Sequence, residues 1–380
     1  MIIQKLKNCC TIIAGQSPSS KFYNTEGVGL PFFQGKADFG ELYPTIRVYC
    51  SEPTKIAEKD DILLSVRAPV GPTNLAPCRV CIGRGLTAIR PCDALLTRYV
   101  LLFFRYFEAQ LASKGTGTTF KAITQDVVKS LEIPVPPLPE QERIVARIEE
   151  LFSQLDAGVE TLKKTKAQLA VYRQAVLKEA FSDCKNLVTI ASITQHVTDG
   201  DHMPPPKADS GVPFIMISNI EGNVICWENT AFVDRNYYDS IDSKRKPQIG
   251  DVLYTVTGSY GIPVLVDFDK EFCFQRHIAL LRPKDTIEQK YLYYALMEPG
   301  VYAQATKGAT GTAQKTVGLG VLRKIEIPFI HDRSEQMRIV ENIESKLSVC
   351  DSIEQTVDAA LQQAEAMRQS ILKDAFEGRL

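Results

Sequence analysis

Two segments of the chain, residues 138–183 and 331–380, carry an apolar residue at every seventh position. These positions are Ile148, Leu155, Leu162, Leu169 and Val176 in the first segment, and Ile343, Cys350, Val357, Ala364 and Ile371 in the second. Further apolar residues fall on a second position of the heptad, three residues after the first, at Ile144, Leu151 and Tyr172 in the first segment and at Ile339, Ile353 and Met367 in the second. A period of seven sustained over this length predicts two long helices that form a coiled coil. At the usual rise per residue, each helix would be about 65 Å long.

The two segments also repeat one another in sequence. EQxRIV occurs at 140–145 and 335–340, and RQxxLKxAF occurs at 173–181 and 368–376. Weaker similarities keep the same order upstream, pairing 60–71 with 250–261, 81–91 with 273–283, 115–125 with 308–318, and 131–134 with 325–328. Two divergent copies that differ by small loop insertions produce such a pattern. The chain is therefore predicted to run domain, helix, domain, helix.

The regions before the two helices have a mixed pattern. Short apolar runs bounded by Gly, Pro and Asp predict strands within Asp61–Val66, Leu86–Ile89, Val252–Val256 and Ile278–Leu281. Helical periodicity predicts amphipathic helices over Thr97–Leu111 and Glu288–Gln304. The predicted fold class is α+β, with two similar mixed α/β domains at residues 1–137 and 184–330 and long helices at 138–183 and 331–380.

Composition changes this picture only in part. Hydrophobic residues make up 44% and charged residues 23% of the chain, which is ordinary for a protein that buries a core. The net charge is −1, but residues 1–135 carry 16 Lys and Arg against 11 Asp and Glu, whereas residues 186–328 carry 14 against 16. The first domain is thus the better suited to a polyanion. We expect a soluble, intracellular protein, because no run of membrane-spanning length or secretion signal occurs and the ten cysteines are irregularly spaced.

No enzymatic site is recognisable in the sequence. It contains neither a phosphate-binding GxxxxGK[ST] loop nor a GxGxxG turn after a strand. Cys78 and Cys81 form a lone CxxC without a second pair, and ordinary thiols are the favoured interpretation. His196 and His202 lie near two aspartates, but a metal site there is disfavoured.

Polar glycine-rich loops instead recur at matching places in both copies, at 114–121 and 307–315. Glycine lets backbone N–H groups approach a phosphate closely, and lysine supplies positive charge. Arg and Gln near strand ends could read base edges in a major groove. The candidate DNA-binding residues are Lys36, Arg67, Arg84, Lys114, Thr116, Thr118, Lys121, Tyr260, Gln275, Arg276, Lys307, Thr310, Gln314 and Lys315. The alternative for each is an ordinary exposed residue.

This order of elements resembles the specificity (S) subunit of type I restriction-modification systems. The resemblance covers the whole chain and is most specific over 131–181 and 325–376, through the entry IPVPPLPEQERIV and the exit LKxAF. The second entry, IPFIHDRSEQ, lacks the PPLP of the first. The resemblance implies two target recognition domains that each read one half of a bipartite, asymmetric site in double-stranded DNA. It further implies an antiparallel helix pair with approximate twofold symmetry, whose length sets the spacing between the half-sites.

The same resemblance implies the partners. Two methyltransferase (M) subunits would bind S-adenosylmethionine and methylate adenine, and restriction (R) subunits would add chemistry that uses ATP and Mg. The chain itself would be non-catalytic, would hold no cofactor or metal, and would act in the cytoplasm away from membranes. The candidate subunit-contact residues are Glu140, Gln141, Arg143, Arg173, Gln174, Glu335, Gln336, Arg338, Arg368 and Gln369.

A different class of protein has the same sequence features. A coiled-coil scaffold with two protein-binding domains and no role on DNA would also explain the heptads and the acidic second domain. Retention of double-stranded DNA by the purified chain, alone or with its M subunit, would distinguish the two.

Overall fold

The computed structural model describes residues 2–115, 122–200, 205–312 and 314–380. The chain forms two compact units. Unit 1 comprises Met1–Leu162 with Asp358–Leu380, and unit 2 comprises Lys163–Val357. Each unit therefore combines one globular domain with one part of each long helix.

The first copy and its long helix consist of short strands and four helices. The strands are β1 (Ile3–Lys5), β2 (Cys10–Ala14), β3 (Tyr23–Asn24), β4 (Leu30–Phe33), β5 (Tyr49–Cys50), β6 (Ile56–Ala57), β7 (Ile62–Ser65), β8 (Thr73–Leu75), β9 (Val80–Ile82), β10 (Leu86–Pro91) and β11 (Glu132–Pro134). The helices are α1 (Leu6–Cys9), α2 (Thr97–Ser113), α3 (Gln125–Ser130) and α4 (Leu138–Ala180), with 3-10 turns at Ser20–Phe22 and Lys36–Asp38.

The second copy follows the same order with more helical insertions. Its strands are β12 (Leu187–Thr189), β13 (Thr194–Asp199), β14 (Val212–Ile215), β15 (Ile220–Glu221), β16 (Val224–Ile225), β17 (Ala231–Val233), β18 (Val252–Thr255), β19 (Pro263–Leu265), β20 (Cys273–Phe274), β21 (Ile278–Pro283) and β22 (Glu326–Pro328). Its helices are α5 (Ile190–Ile193), α6 (Arg235–Ser240), α7 (Gln289–Met297), α8 (Pro299–Gly308), α9 (Leu319–Leu322) and α10 (Arg333–Phe376), with 3-10 turns at Ile217–Asn219 and Ser243–Arg245.

Sheet topology confirms the duplication. A four-stranded antiparallel sheet has the order β2-β10-β7-β8 in unit 1 and the matching order β13-β21-β18-β19 in unit 2. A two-stranded sheet joins β1 to β11 in one unit and β12 to β22 in the other. Each unit also contains one parallel pair at corresponding places, β4 with β9 and β14 with β20. The predicted fold class, two similar mixed α/β domains with two long helices, is confirmed.

The copies differ beside the parallel pair. Unit 1 builds a five-stranded sheet of order β3-β5-β4-β9-β6, whereas unit 2 has a three-stranded sheet of order β17-β14-β20 and a separate β15-β16 hairpin. The strands that differ are β3, β5 and β6 in unit 1 and β15, β16 and β17 in unit 2. The four-stranded sheets are thus a common frame, and the flanking sheets are the part that varies.

Unit 2 contains two helices where the sequence pattern predicted one over Glu288–Gln304. The helix α7 ends at Met297 and α8 begins at Pro299, with Glu298 between them. Proline has no N–H to donate and its ring clashes with the carbonyl four residues earlier, so it ends α7 and is well placed to start α8. The Glu298 carboxylate caps the new helix by accepting from the Val301 N–H at 3.0 Å.

The long helices pair in opposite directions within unit 1. Near the start of α4, Arg143 donates to the carbonyl of Leu380 at 3.0 Å. Further along α4, Asp156 forms an ion pair with Arg368 of α10. Residue numbers rise along α4 as they fall along α10, so this part of the pair is antiparallel.

The same antiparallel pairing occurs within unit 2. Arg173 of α4 donates to Asp351 and Glu354 of α10 at 2.6 and 2.9 Å. Closer to the end of α4, Glu179 pairs with Lys346 at 3.1 Å. The repeated phenylalanines at the helix ends pack into the domains: Phe181 contacts Tyr291 in unit 2, as Phe376 contacts Tyr99 in unit 1.

The second contact position of the helices differs from the prediction. Tyr172, Ile353 and Met367 are 49%, 40% and 46% exposed, so they do not lie between the helices. The second set of partly or fully buried residues lies four residues after the first, at Phe152, Val159, Lys166, Arg173 and Ala180 in α4 and at Leu347, Glu354, Leu361, Arg368 and Ala375 in α10. Several of these are charged and form ion pairs between the helices. The prediction is therefore wrong for Tyr172, Ile353 and Met367, whereas Ile144 is buried and Leu151 and Ile339 are half-buried at the same heptad position.

Candidate nucleic-acid interface

A cleft of about 670 Å³ opens in unit 1 where three loops meet. Lys36 comes from the turn after β4, Arg67 from the loop after β7, and Arg84 from the turn before β10. All three side chains are exposed and line the cleft. Three residues that are far apart in sequence thus bring three positive charges to one concave surface.

Backbone contacts fix these loops against each other. The Gly83 N–H donates to the Phe33 carbonyl at 2.8 Å, and the Val66 N–H donates to the Gly85 carbonyl at 2.9 Å. A Cβ at Gly85 would lie 2.3 Å from the Gln34 carbonyl oxygen, so only glycine lets the turn before β10 pack this closely on the turn after β4. The close approach brings Lys36 and Arg84 to the same cleft.

Unit 2 has a cleft of about 430 Å³ on the corresponding part of its frame. Arg276 and His277 precede β21, Thr257 follows β18, and Gln314 comes from the glycine-rich loop. The Val256 N–H donates to the His277 carbonyl at 2.9 Å, which matches the bond between Val66 and Gly85 in unit 1. Burial and the adjacent Arg276 lower the pKa of His277 below its ordinary value, so this side chain is neutral at neutral pH.

The unit 2 cleft also contains one carboxylate, Asp199. Its charge is offset, because Asp199 forms an ion pair with Arg245 at 3.4 Å. A short hairpin closes the other side, since Thr310 and Thr316 exchange backbone hydrogen bonds of 2.9 and 2.7 Å. The Lys315 carbonyl accepts from the Gly258 N–H at 2.9 Å, which attaches the glycine-rich loop to the loop after β18.

The arginines of the two clefts are distinguished by their lack of partners. Arg67, Arg84 and Arg276 make no side-chain hydrogen bond or ion pair with any residue that the structure describes. Every other arginine in the chain has such a partner, either a carboxylate or a backbone carbonyl. A guanidinium presents five N–H donors in a planar fork that suits phosphates and guanine edges. The three arginines without a described side-chain partner all line the two clefts.

The remaining candidates from the sequence are dispersed. Thr116, Thr118 and Lys121 lie outside the described residues, as does His202. Lys114 lies apart from the unit 1 cleft, with its Nζ 5.4 Å from the ring centre of Phe107.

In unit 2, the other candidates lie outside the lining of the cleft. Tyr260 stacks on Tyr302 at 5.8 Å, and Gln275 is adjacent to Arg276 and half-buried. Lys307, Thr310 and Lys315 are exposed. The assignment of all these residues to DNA stays a prediction.

Sequence reasoning missed a buried ion pair that occurs in both frames. Asp61 is 2% exposed and accepts from the Nε and Nη2 atoms of Arg90, each at 2.7 Å. Asp251 accepts from Arg282 in the same way at 2.8 and 2.7 Å. The hydrogen bond with Asp61 raises the pKa of Arg90 above its ordinary value. The available signal was an aspartate directly before β7 and β18, matched in both copies by an arginine within β10 and β21.

Two predicted subunit contacts are wrong. Gln141 and Gln336 are fully buried, so their side chains cannot reach another subunit. Gln141 accepts from the Leu96 N–H and donates to the carbonyls of Ala94 and Pro136. Gln336 forms the corresponding three bonds with Glu288, Thr286 and Ile330. Each glutamine therefore fastens the first turn of a long helix to the domain before it.

The other predicted subunit contacts remain accessible in part. Glu140 pairs with Arg143 and Glu335 with Arg338 on exposed helix surface, at 2.7 and 2.6 Å. Gln174 and Gln369 are also exposed. Arg173 and Arg368 are partly buried in the ion pairs between the long helices. Contact of these residues with a partner stays a prediction.

Comparison with known proteins identifies the family. The family model described as type I restriction modification DNA specificity domain matches residues 3–170 and residues 201–363. The chain belongs to this family. The two separate matches correspond to the two copies seen in the fold.

Individual relatives of this specificity-domain protein differ in how much they match. A protein from Methanocaldococcus jannaschii, named as the specificity subunit of the type I restriction enzyme MjaX, is 41% identical over 44% of this chain, but that match spans only 38% of the relative's length. The EcoKI specificity subunit of Escherichia coli K12 is 23% identical over 91% of this chain and 80% of its own length. The crystal structure of the HsdS subunit from Thermoanaerobacter tengcongensis superposes with a TM-score of 0.56 at 20% identity, covering 100% of this chain and 97% of that one, and so supports the fold.

Within the described residues, no group of three or more His, Cys, Asp or Glu side chains is arranged to hold a metal ion. No helix in the same part of the chain is long and apolar enough to cross a membrane.

Proposed function

We propose that this chain is the DNA-recognition subunit of a type I restriction-modification complex. In this proposal the unit 1 cleft contacts one half of a bipartite duplex site and the unit 2 cleft contacts the other half. The proposal is supported most directly by the three arginines without described partners, because all of them line the two clefts. Free guanidinium groups in a concave surface favour a ligand rich in phosphate and in hydrogen-bond acceptors.

The different charges of the two clefts fit this proposal. The unit 1 cleft presents Lys36, Arg67 and Arg84, whereas the unit 2 cleft presents Arg276 beside the uncharged Gln314. Two sites that bound the same sequence would have no reason to diverge in this way. Divergence of the clefts on a common frame is what recognition of an asymmetric site requires.

The long helices are proposed to bind the methyltransferase subunits. Their outer surfaces expose apolar side chains, among them Val171, Tyr172, Val349 and Ile353 of unit 2, with exposures from 40% to 70%. Exposed apolar residues of this size are typical of surfaces that a partner covers. The partners would bind S-adenosylmethionine and methylate adenine. Restriction subunits would use ATP and Mg, and this chain would act in the cytoplasm without catalytic residues of its own.

Methylation mapping provides the test. Long-read sequencing of cells with and without this gene should show one bipartite motif whose adenine methylation disappears with the gene and returns when the gene is restored. Purified complex of this chain with its methyltransferase subunits should retain duplexes that contain the motif and release duplexes with either half scrambled. An unchanged methylation pattern in the deletion strain would contradict the proposal.

A further inference from the structure

The duplication provides an internal comparison between two clefts on one frame. A residue present at the same place in both clefts can serve only a feature common to both half-sites. A residue that differs between the clefts can contact a feature that differs between the two half-sites. The phosphate backbone is common to any duplex, whereas the base edges vary with sequence.

One arginine is shared between the clefts. Arg84 and Arg276 occupy matching places in the turns before β10 and β21. Their neighbours are held by the same backbone bonds, from Gly83 to Phe33 in unit 1 and from Gln275 to Ile215 in unit 2, at 2.8 and 2.9 Å. Both side chains are exposed in their clefts. Arg84 and Arg276 are therefore suited to the feature that both half-sites share, the phosphate backbone.

The position after the central strand differs. Arg67 follows β7, whereas the matching residue after β18 is Thr257, which is buried and whose hydroxyl lies 3.3 Å from that of Thr316. Gln314 fills the neighbouring space in unit 2, because its amide nitrogen would lie 3.4 Å from a Cβ built on Gly258. The glycine-rich loop therefore supplies a carboxamide close to where unit 1 has a guanidinium.

From this comparison we infer that Arg84 and Arg276 anchor the DNA backbone, while Arg67 and Gln314 determine base specificity. An arginine donates two parallel hydrogen bonds to O6 and N7 of guanine. A glutamine carboxamide donates to N7 and accepts from the N6 amino group of adenine. The half-site bound by unit 1 accordingly contains a guanine read by Arg67, and the half-site bound by unit 2 contains an adenine read by Gln314. This inference rests on the proposed function.

Selection from randomised duplexes tests the assignment. The complex of this chain with its methyltransferase subunits would be used as wild type and as Arg67→Gln, Gln314→Ala, Arg84→Gln and Arg276→Gln. Arg67→Gln should weaken the preference for guanine at one position of one half-site by about ten- to a hundred-fold. Gln314→Ala should relax an adenine position in the other half-site and leave the first unchanged.

The anchor variants should behave differently. Arg84→Gln and Arg276→Gln should lower affinity for all sequences alike and reduce the slope of log affinity against log salt by about 1 each. The assignment is overturned if Arg84→Gln alters a base preference, or if Arg67→Gln lowers affinity uniformly; DNA recognition itself would survive either result. If all four variants bind and select like the wild type while melting at the same temperature, the proposed function fails together with the inference.

Discussion

The buried glutamine at the start of α4 allows a quantitative test of how the long helices attach to the domains. Replacing Gln141 by Ala removes a fully buried carboxamide that makes three hydrogen bonds of 2.8 to 2.9 Å. Each bond contributes about 1 kcal/mol net, and a buried group left without a partner costs about 1–3 kcal/mol. The expected loss in the free energy of unfolding is about 3–5 kcal/mol, a large part of the stability of a typical domain.

Urea denaturation of the purified chain measures this loss, and the same helix provides a matched control. Gln174 is exposed, so Gln174→Ala should change the free energy of unfolding by less than about 0.5 kcal/mol. Gln141→Glu is a second informative variant. It retains an acceptor for the Leu96 N–H but brings a carboxylate oxygen against two carbonyls, so it should destabilise at least as much as Gln141→Ala.

Two results would refute this account of Gln141. One is a urea concentration at the midpoint of unfolding that is the same for Gln141→Ala as for Gln174→Ala. The other is an unchanged stability combined with loss of methyltransferase binding, which would return Gln141 to the role of a subunit contact.

Three further predictions concern the buried ion pairs, the histidines and the long helices. Asp251→Ala should destabilise more than Asp61→Ala in thermal denaturation, because the arginine that loses its carboxylate partner is 13% exposed in the first case and 42% in the second; equal shifts would contradict this. Burial lowers the pKa values of His196 and His277, so the unfolded chain takes up protons first and stability should fall as pH drops below about 6.5. Replacing both histidines by Gln should reduce the fall in melting temperature that the wild type shows below about pH 6.5. Inserting seven residues at matched positions of α4 and α10 adds about 10 Å of helix and should lengthen the gap in the methylated motif by about 3 base pairs, with both half-sites unchanged; a motif of the original spacing would contradict the proposed role of the helices.

The repeated sequence motifs predicted the architecture well because each one has a structural task. EQxRIV places a buried glutamine at the start of each long helix, and LKxAF places a phenylalanine that packs into a domain at its end. The four predicted strands are all present in the two matching sheets. Such features depend on local pattern and burial, which a single sequence contains.

Features that depend on tertiary contacts were harder to predict from the sequence. The second contact position of the helices is partly charged, and Arg173 with Glu354 is a favourable pair only when the other helix is known. The break at Pro299 could have been found from the sequence, because proline seldom occurs inside a helix. The clefts could not have been found from the sequence, because Lys36 and Arg67 approach each other only through the packing of the turns around Gly85.

The central claim is that the arginines without described partners bind DNA, and a charge-matched pair of triple variants tests it most directly. Arg67→Gln, Arg84→Gln and Arg276→Gln would be combined in one chain. The control would combine the same substitution at Arg47, Arg79 and Arg98, which are exposed and paired with carboxylates.

Both variants lose three positive charges, so a general effect of net charge cancels. In complex with the methyltransferase subunits, the cleft variant should lose about a hundred-fold or more in affinity for the cognate duplex, while the control stays close to the wild type. Equal affinities of the two variants would contradict the claim that these clefts are the DNA-binding surface.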